Sequence, residues 1–145
     1  STLITGTYSA VDFTFGHGSV DTLDLDDPLL EHTAVFSGVA TKNGHSTSFK
    51  IIIDAPEERE LVGAPFNAKI RVGMVSELGF RFNMLDQAEG HTIFDGVDFA
   101  ALDLDHDQSV MIQPQNKEIE DAYNTVRRAF LSHDHYSVEL KEITP

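Results

Sequence analysis

The sequence predicts a mainly β fold, a β-sandwich or small barrel of antiparallel hairpins. One α-helix in the C-terminal region packs on the sheet, and a final strand follows it. Three observations predict this. Apolar and polar residues alternate over several short runs, the period of a half-buried strand. Turns containing glycine separate those runs. A single stretch, late in the chain, has helical spacing instead.

The run from Leu3 to Phe15 reads as extended but changes parity. Ile4, Tyr8 and Ala10 share one face and Val11, Phe13 and Phe15 the other, so a bulge near Ala10 is expected. Next comes Lys42-Asn43-Gly44-His45. Asn-Gly tolerates the positive φ of a type I′ turn and marks a hairpin. With Asn43-Gly44 as the loop, Ala34 faces Ile53, Phe36 faces Ile51, Gly38 faces Phe49 and Ala40 faces Thr47. A register shifted by one would scramble this apolar face.

A second hairpin is expected from Ala68, Ile70, Val72 and Met74 alternating with Lys69, Arg71 and Gly73. Phe80, Phe82 and Met84 answer them after a Glu77-Leu78-Gly79 loop, setting Met74 against Phe82 and Val72 against Met84. Lys69, Arg71 and Arg81 then share the outer face. His91 to Phe94 and Val110 to Ile112 read as shorter strands. Residues 16–33, 55–66 and 85–108 read as long loops, with Phe15-Gly16-His17-Gly18-Ser19 a flexible one.

Ile119, Ala122, Tyr123, Val126, Phe130 and Leu131 recur at helical spacing, predicting a helix from Lys117 to about Leu131. Asn116 is the expected cap. Glu118, Glu120 and Asp121 lie in the positive first turn, and Arg127 and Arg128 near the negative end, outside the core. Tyr136, Val138 and Leu140 alternate with Ser137, Glu139 and Lys141, giving the last strand.

A chain of 145 residues is expected to form one β-rich domain, 1–145. Without cysteine there is no disulfide framework, thiol nucleophile or cysteine-ligated metal. No apolar run approaches the roughly 20 residues of a membrane-spanning helix. The first residues lack the basic start of a signal peptide, so an intracellular or virion-associated location is expected. The net charge of −14 argues against nucleic acid, which needs a cationic surface to displace counterions.

That charge is unevenly spread. Residues 1–41 carry six acids and no Lys or Arg, and residues 82–116 carry seven acids and again no base. The segments between and after are nearly balanced. Solubility, a high-salt habitat, or carboxylates arranged like phosphates would each produce such tracts.

Two clusters invite metal chemistry. Asp103, Asp105 and Asp107 alternate as calcium loops begin, because hard cations take several carboxylate oxygens. The sixth position is Gln108 rather than Gly and the twelfth is Pro114 rather than Glu, so an EF-hand is excluded; the cluster reads as a solvated acidic loop, with a looser calcium site as the alternative. His133 and His135 flank Asp134; if extended, both imidazoles would face one side, as chelation requires. No cofactor is expected. No Gly-x-Ser-x-Gly elbow and no phosphate loop is present.

With no catalytic constellation, the sequence points to a non-catalytic structural or assembly subunit, such as a viral or phage tail, neck or decoration component. Its partners would be protein, through self-association or assembly. The basic face at Lys69, Arg71 and Arg81 would meet the acidic loop of Asp21, Asp24, Asp26 and Asp27 on a neighbour. One alternative is an acidic inhibitor that mimics nucleic acid to block a DNA- or RNA-binding protein. Another is a small β-fold ligand-binding protein or enzyme without a recognisable motif.

Overall fold

Asn43 and Gly44 both lie in the left-handed region, with φ of 51° and 82°, as a type I′ turn requires. They join β2 (Ala34–Lys42) to β3 (His45–Ile53). The ladder runs from Lys42 opposite His45 to Ala34 opposite Ile53, the expected register throughout. The computed structural model describes residues 4–86, 89–114 and 117–143. They form two compact units, each assembled from segments distant in sequence.

The unit containing this hairpin comprises Phe15–Arg59 and Ile93–Leu131. A short helix, α1 (Phe99–Leu102), precedes β6 (Ser109–Ile112), and β6 joins the free side of β3. This pair is parallel, with Phe49 beside Val110 and Ile51 beside Ile112, where only antiparallel pairs were expected. Parallel neighbours need a long crossover, and residues 54–108 supply it.

A 3₁₀ turn, Lys117–Ile119, leads into α2 (Glu120–Phe130), which contacts β3 and β6. Tyr123, Val126 and Phe130 are its buried side chains. The cap expected from Asn116 and the side chain of Glu118 lie outside the described residues. Arg128 is exposed, but Arg127 is not left outside: its Nε donates to the Asp54 carbonyl at 2.9 Å. Ile51, Ile53, Ile93, Ile112 and Val126 are fully buried. A run of rings extends this core, with Phe49 stacked on Phe99 at 4.4 Å and Phe94 edge-on to both.

The other unit comprises the described parts of Ser1–Thr14, Glu60–Thr92 and Ser132–Pro145. β1 (Gly6–Thr14) pairs antiparallel with β4 (Glu60–Ile70). Their register slips between Tyr8 and Ala10, as the parity change implied, and again between Val11 and Phe13. Because β4 begins at Glu60, the expected loop 55–66 ends early. Gly63, at φ 81°, donates its N–H to Asp12 Oδ1 at 2.8 Å.

The second hairpin does not form. β5 (Ser76–Phe82) pairs instead with β7 (Tyr136–Glu142), Phe80 opposite Val138 and Leu78 opposite Leu140. The chain turns earlier than expected, at Arg71 to Met74, where Gly73 takes φ 75° and Met74 N–H donates to the Arg71 carbonyl. Gly79 is extended in mid-strand, and Val72, expected in an apolar face, is 90 % exposed. Alternation reports which face is buried, not which strand lies alongside. His91 to Phe94 is likewise no strand; Thr92 makes one bridge, to Leu85.

Phe66, Ala68 and Val138 form a buried cluster packed by Tyr8, Val11 and Leu140, so the two ladders of this unit share a core. Phe13, Phe80 and Tyr136 add an aromatic group with centroids 4.6 to 5.5 Å apart. Burial raises the Tyr136 phenol above its ordinary value of 10.0. The neutral form is therefore favoured by folding. Stability should be intact below about pH 10 and fall as pH rises beyond it, because only the unfolded phenol ionises readily. Tyr136→Phe should flatten this alkaline decline in a series of denaturant melts.

The chain is thus mainly β, with a C-terminal-region helix on a sheet and a final strand, and without a closed barrel among the described residues. No described helix is long and apolar enough to cross a membrane.

Candidate docking edge

β5 carries two unlike faces. Leu78, Phe80 and Phe82 point one way, opposite Leu140, Val138 and Tyr136. Glu77, Gly79 and Arg81 point the other, opposite Lys141, Glu139 and Ser137. Among the described residues β5 is paired along one side only, by β7. The inward face is incompletely covered there: Leu78 is 52 % exposed and Phe80 53 %. Val75 and Ile143, joined by a backbone bond at the end of the ladder, extend the exposed apolar surface.

The basic residues expected on one hairpin face are distributed differently. Lys69 is exposed on β4 opposite Thr7, Arg71 sits in the turn that follows, and Arg81 lies on β5 with Nη2 3.7 Å from Glu139 Oε2. They belong to two different ladders and a turn because the hairpin that would have aligned them is absent.

The acidic loop serves the backbone. Asp103, 8 % exposed, accepts Asp107 N–H and Gln108 N–H on its two carboxylate oxygens, both at 3.1 Å. Asp107 accepts Ser109 N–H at 2.8 Å. Asp103, Asp105 and Asp107, the candidate calcium ligands, offer carboxylate oxygens within 4.8 Å of one another. Asp103 and Asp107 hold a tight loop in which His106 and Gln108 are left-handed. Asp103→Ala should therefore lose about 1–3 kcal/mol, the cost of unpairing hydrogen bonds to a charged group. Thermal or denaturant melts would measure it, and a change within 0.5 kcal/mol, typical of ordinary surface sites, would contradict this role.

Asp98, just upstream, caps α1 and pairs with Lys42, whose ammonium holds the Asp98 carboxyl below its usual value. Lys42, His45, Asp98, Asp103, His106 and Gln108 line a cleft of about 710 Å³.

His133 and His135 do not chelate together. Residues His133–His135 form a 3₁₀ turn rather than extended chain. His135 is buried, with Nδ1 2.9 Å from the Asn83 carbonyl. That oxygen only accepts, so Nδ1 carries the proton. His133 is exposed, with Nε2 3.0 Å from Asp134 Oδ1. In the expected acidic docking loop, Asp27 accepts Leu29 N–H at 2.8 Å, whereas Asp21, Asp24 and Asp26 are exposed.

Two groupings had no sequence signal. The end of β3 gathers distant partners: His32 Nδ1 lies 2.7 Å from Asp54 Oδ1, and His17 Nε2 lies 2.8 Å from the Ala55 carbonyl. Tyr123 Oη accepts Asp54 N–H there. Separately, Arg59, Arg127 and Arg128 line one small cleft. Each set spans many residues of sequence, so no local pattern could mark it. No family model, curated protein or solved structure matches this chain.

Proposed function

We propose that this protein is a non-catalytic assembly subunit that acts through protein–protein contacts at an open sheet edge. One observation carries the reading: β5 is paired along one side only among the described residues, while Leu78 and Phe80 beside that edge stay about half exposed. Edge strands offer unpaired backbone groups to any extended chain, and proteins usually shorten, charge or cover them. A strand laid along β5 would satisfy its outward amides and cover the two apolar side chains, the mode of strand addition. Support also comes from the polar clusters elsewhere. Asp103 closes a loop and His135 ties a turn to Asn83, both structural uses.

Light scattering from micromolar to millimolar protein, at low and high salt, tests this. The mass should rise with concentration above the monomer's 16.0 kDa. A mass that stays there at millimolar concentration in both salts overturns the proposal. A fold kept at low salt would set aside high-salt adaptation as the reason for the acidic tracts.

A further inference from the structure

This inference rests on that reading and names the partner. We infer that β5 pairs antiparallel with the β5 of a second copy, the two-fold axis passing between the two Gly79 residues.

The backbone limits the registers. Ile143 N–H donates to the Val75 carbonyl at 2.9 Å and Asn83 N–H donates to the His135 carbonyl at 2.6 Å. Every second residue of an antiparallel strand directs its backbone groups to the same side. Val75, Glu77, Gly79, Arg81 and Asn83 therefore address β7. Leu78 and Phe80 address the open edge. A second β5 can bond only by bringing its own outward residues to these two.

Three registers do so near the middle of the strand, with the axis on Leu78, Gly79 or Phe80. The side chains choose among them. With the axis on Gly79, Leu78 meets Phe80 of the second copy and Phe80 meets its Leu78. These are hydrogen-bonded pairs, and two such pairs supply about four backbone bonds. Glu77 meets Arg81 of the second copy, and Arg81 meets its Glu77. Gly79 meets Gly79 at a non-hydrogen-bonded position, where the chains come closest. Moving the axis to Leu78 sets Glu77 against Gly79, and moving it to Phe80 sets Glu77 against Asn83. Both ion pairs are lost either way.

The segment Glu77-Leu78-Gly79-Phe80-Arg81 is thus the complement of its own reverse, with acid and base equidistant from a glycine. Such self-complementarity is what an isologous two-fold contact requires, and it favours a second copy over an unrelated strand. The rows also continue across the joint. Leu140, Leu78, Phe80 of the second copy and its Val138 would form one apolar row. Lys141, Glu77 and Arg81 of the second copy would alternate in charge on the other face, the row ending on its neutral Ser137.

The chain has no cysteine, so one introduced thiol reports cleanly. A Cβ at Gly79 meets nothing nearer than the Glu139 carbonyl at 3.8 Å, an ordinary contact. In the proposed register the two Cα atoms would stand about 4.5 Å apart, within disulfide reach. Gly79→Cys should therefore convert to covalent dimer under mild oxidation far faster than Val62→Cys, an exposed control on β4.

Glu77→Arg alone and Arg81→Glu alone each replace two attractive cross-strand pairs by repulsive ones. Each should weaken association about tenfold or more. An equimolar mixture of these two variants, or both changes in one chain, should restore it. Circular dichroism confirms that each variant keeps the wild-type fold. If Gly79→Cys crosslinks no faster than the control, or association ignores both reversals, the register is wrong while the assembly reading stands. Wild-type protein that remains monomeric at millimolar concentration sinks both.

Discussion

Ile51→Ala should remove about 2–5 kcal/mol of stability, the range for emptying a fully buried aliphatic position. Ile51 has no exposed surface. It lies on β3, the middle strand of its sheet, with Phe36 opposite on β2 and Ile112 beside it on β6. Both neighbours are fixed by continuous ladders, and α2 also contacts β3. The surroundings cannot collapse into the space left by the missing atoms, so the cavity cost adds to the lost burial. Denaturant melts would give the loss directly. Hydrogen exchange would assign it, because amides of β2 and β3 should lose protection together. A loss below 1 kcal/mol would mean that the sheet relaxes freely around this position.

Gly18→Ala should cost about 3 kcal/mol or more, the upper end for forcing atoms into filled space. Its Cβ would stand 2.3 Å from the Leu29 carbonyl oxygen and 2.5 Å from Leu23 Cδ1. The oxygen belongs to backbone and cannot swing aside. Gly18 also donates its N–H to the His32 carbonyl and accepts Glu31 N–H, both at 2.9 Å. Admitting a methyl group would separate the strands of chain that these bonds hold together. Gly16→Ala is the control: a Cβ there meets nothing within 4 Å, so its effect should stay within about 0.5 kcal/mol. Equal losses at the two positions would show that chain flexibility, rather than space, makes these residues glycine.

This pair of glycines shows where sequence reading stops. Phe15 to Ser19 reads as a flexible loop because two glycines flank a histidine. Gly18 is instead a point of close approach, bridged to Leu30. The contacts that forbid a side chain come from Leu23 and Leu29, beyond the motif. The acidic tracts behave alike. Asp103 and Asp107 are legible as a calcium-like alternation, yet their oxygens hold backbone amides of the same loop. Of the candidate docking edge, the alternation of β5 was legible and its neighbour was not. Alternation places Arg81 opposite in face to Phe80 and Phe82, as the structure has it, whereas grouping Lys69 and Arg71 with it depends on a turn that does not form.

Sequence alone was sufficient wherever the deciding interactions are local. Asn43-Gly44 has a backbone preference strong enough to set nine residue pairs of the β2–β3 ladder. The spacing of Tyr123, Val126 and Phe130 places a helix, and the parity change near Ala10 places a bulge. The tertiary structure decided which distant strands became neighbours: β1 with β4, β5 with β7, and β6 in parallel with β3. An alternating strand buries its apolar face equally well beside several partners. The choice is made by shared cores, such as the one where Phe66 and Ala68 of β4 pack with Val138 of β7, far along the chain. The same choice left β5 paired on one side only among the described residues, and so created the edge on which the proposed assembly depends.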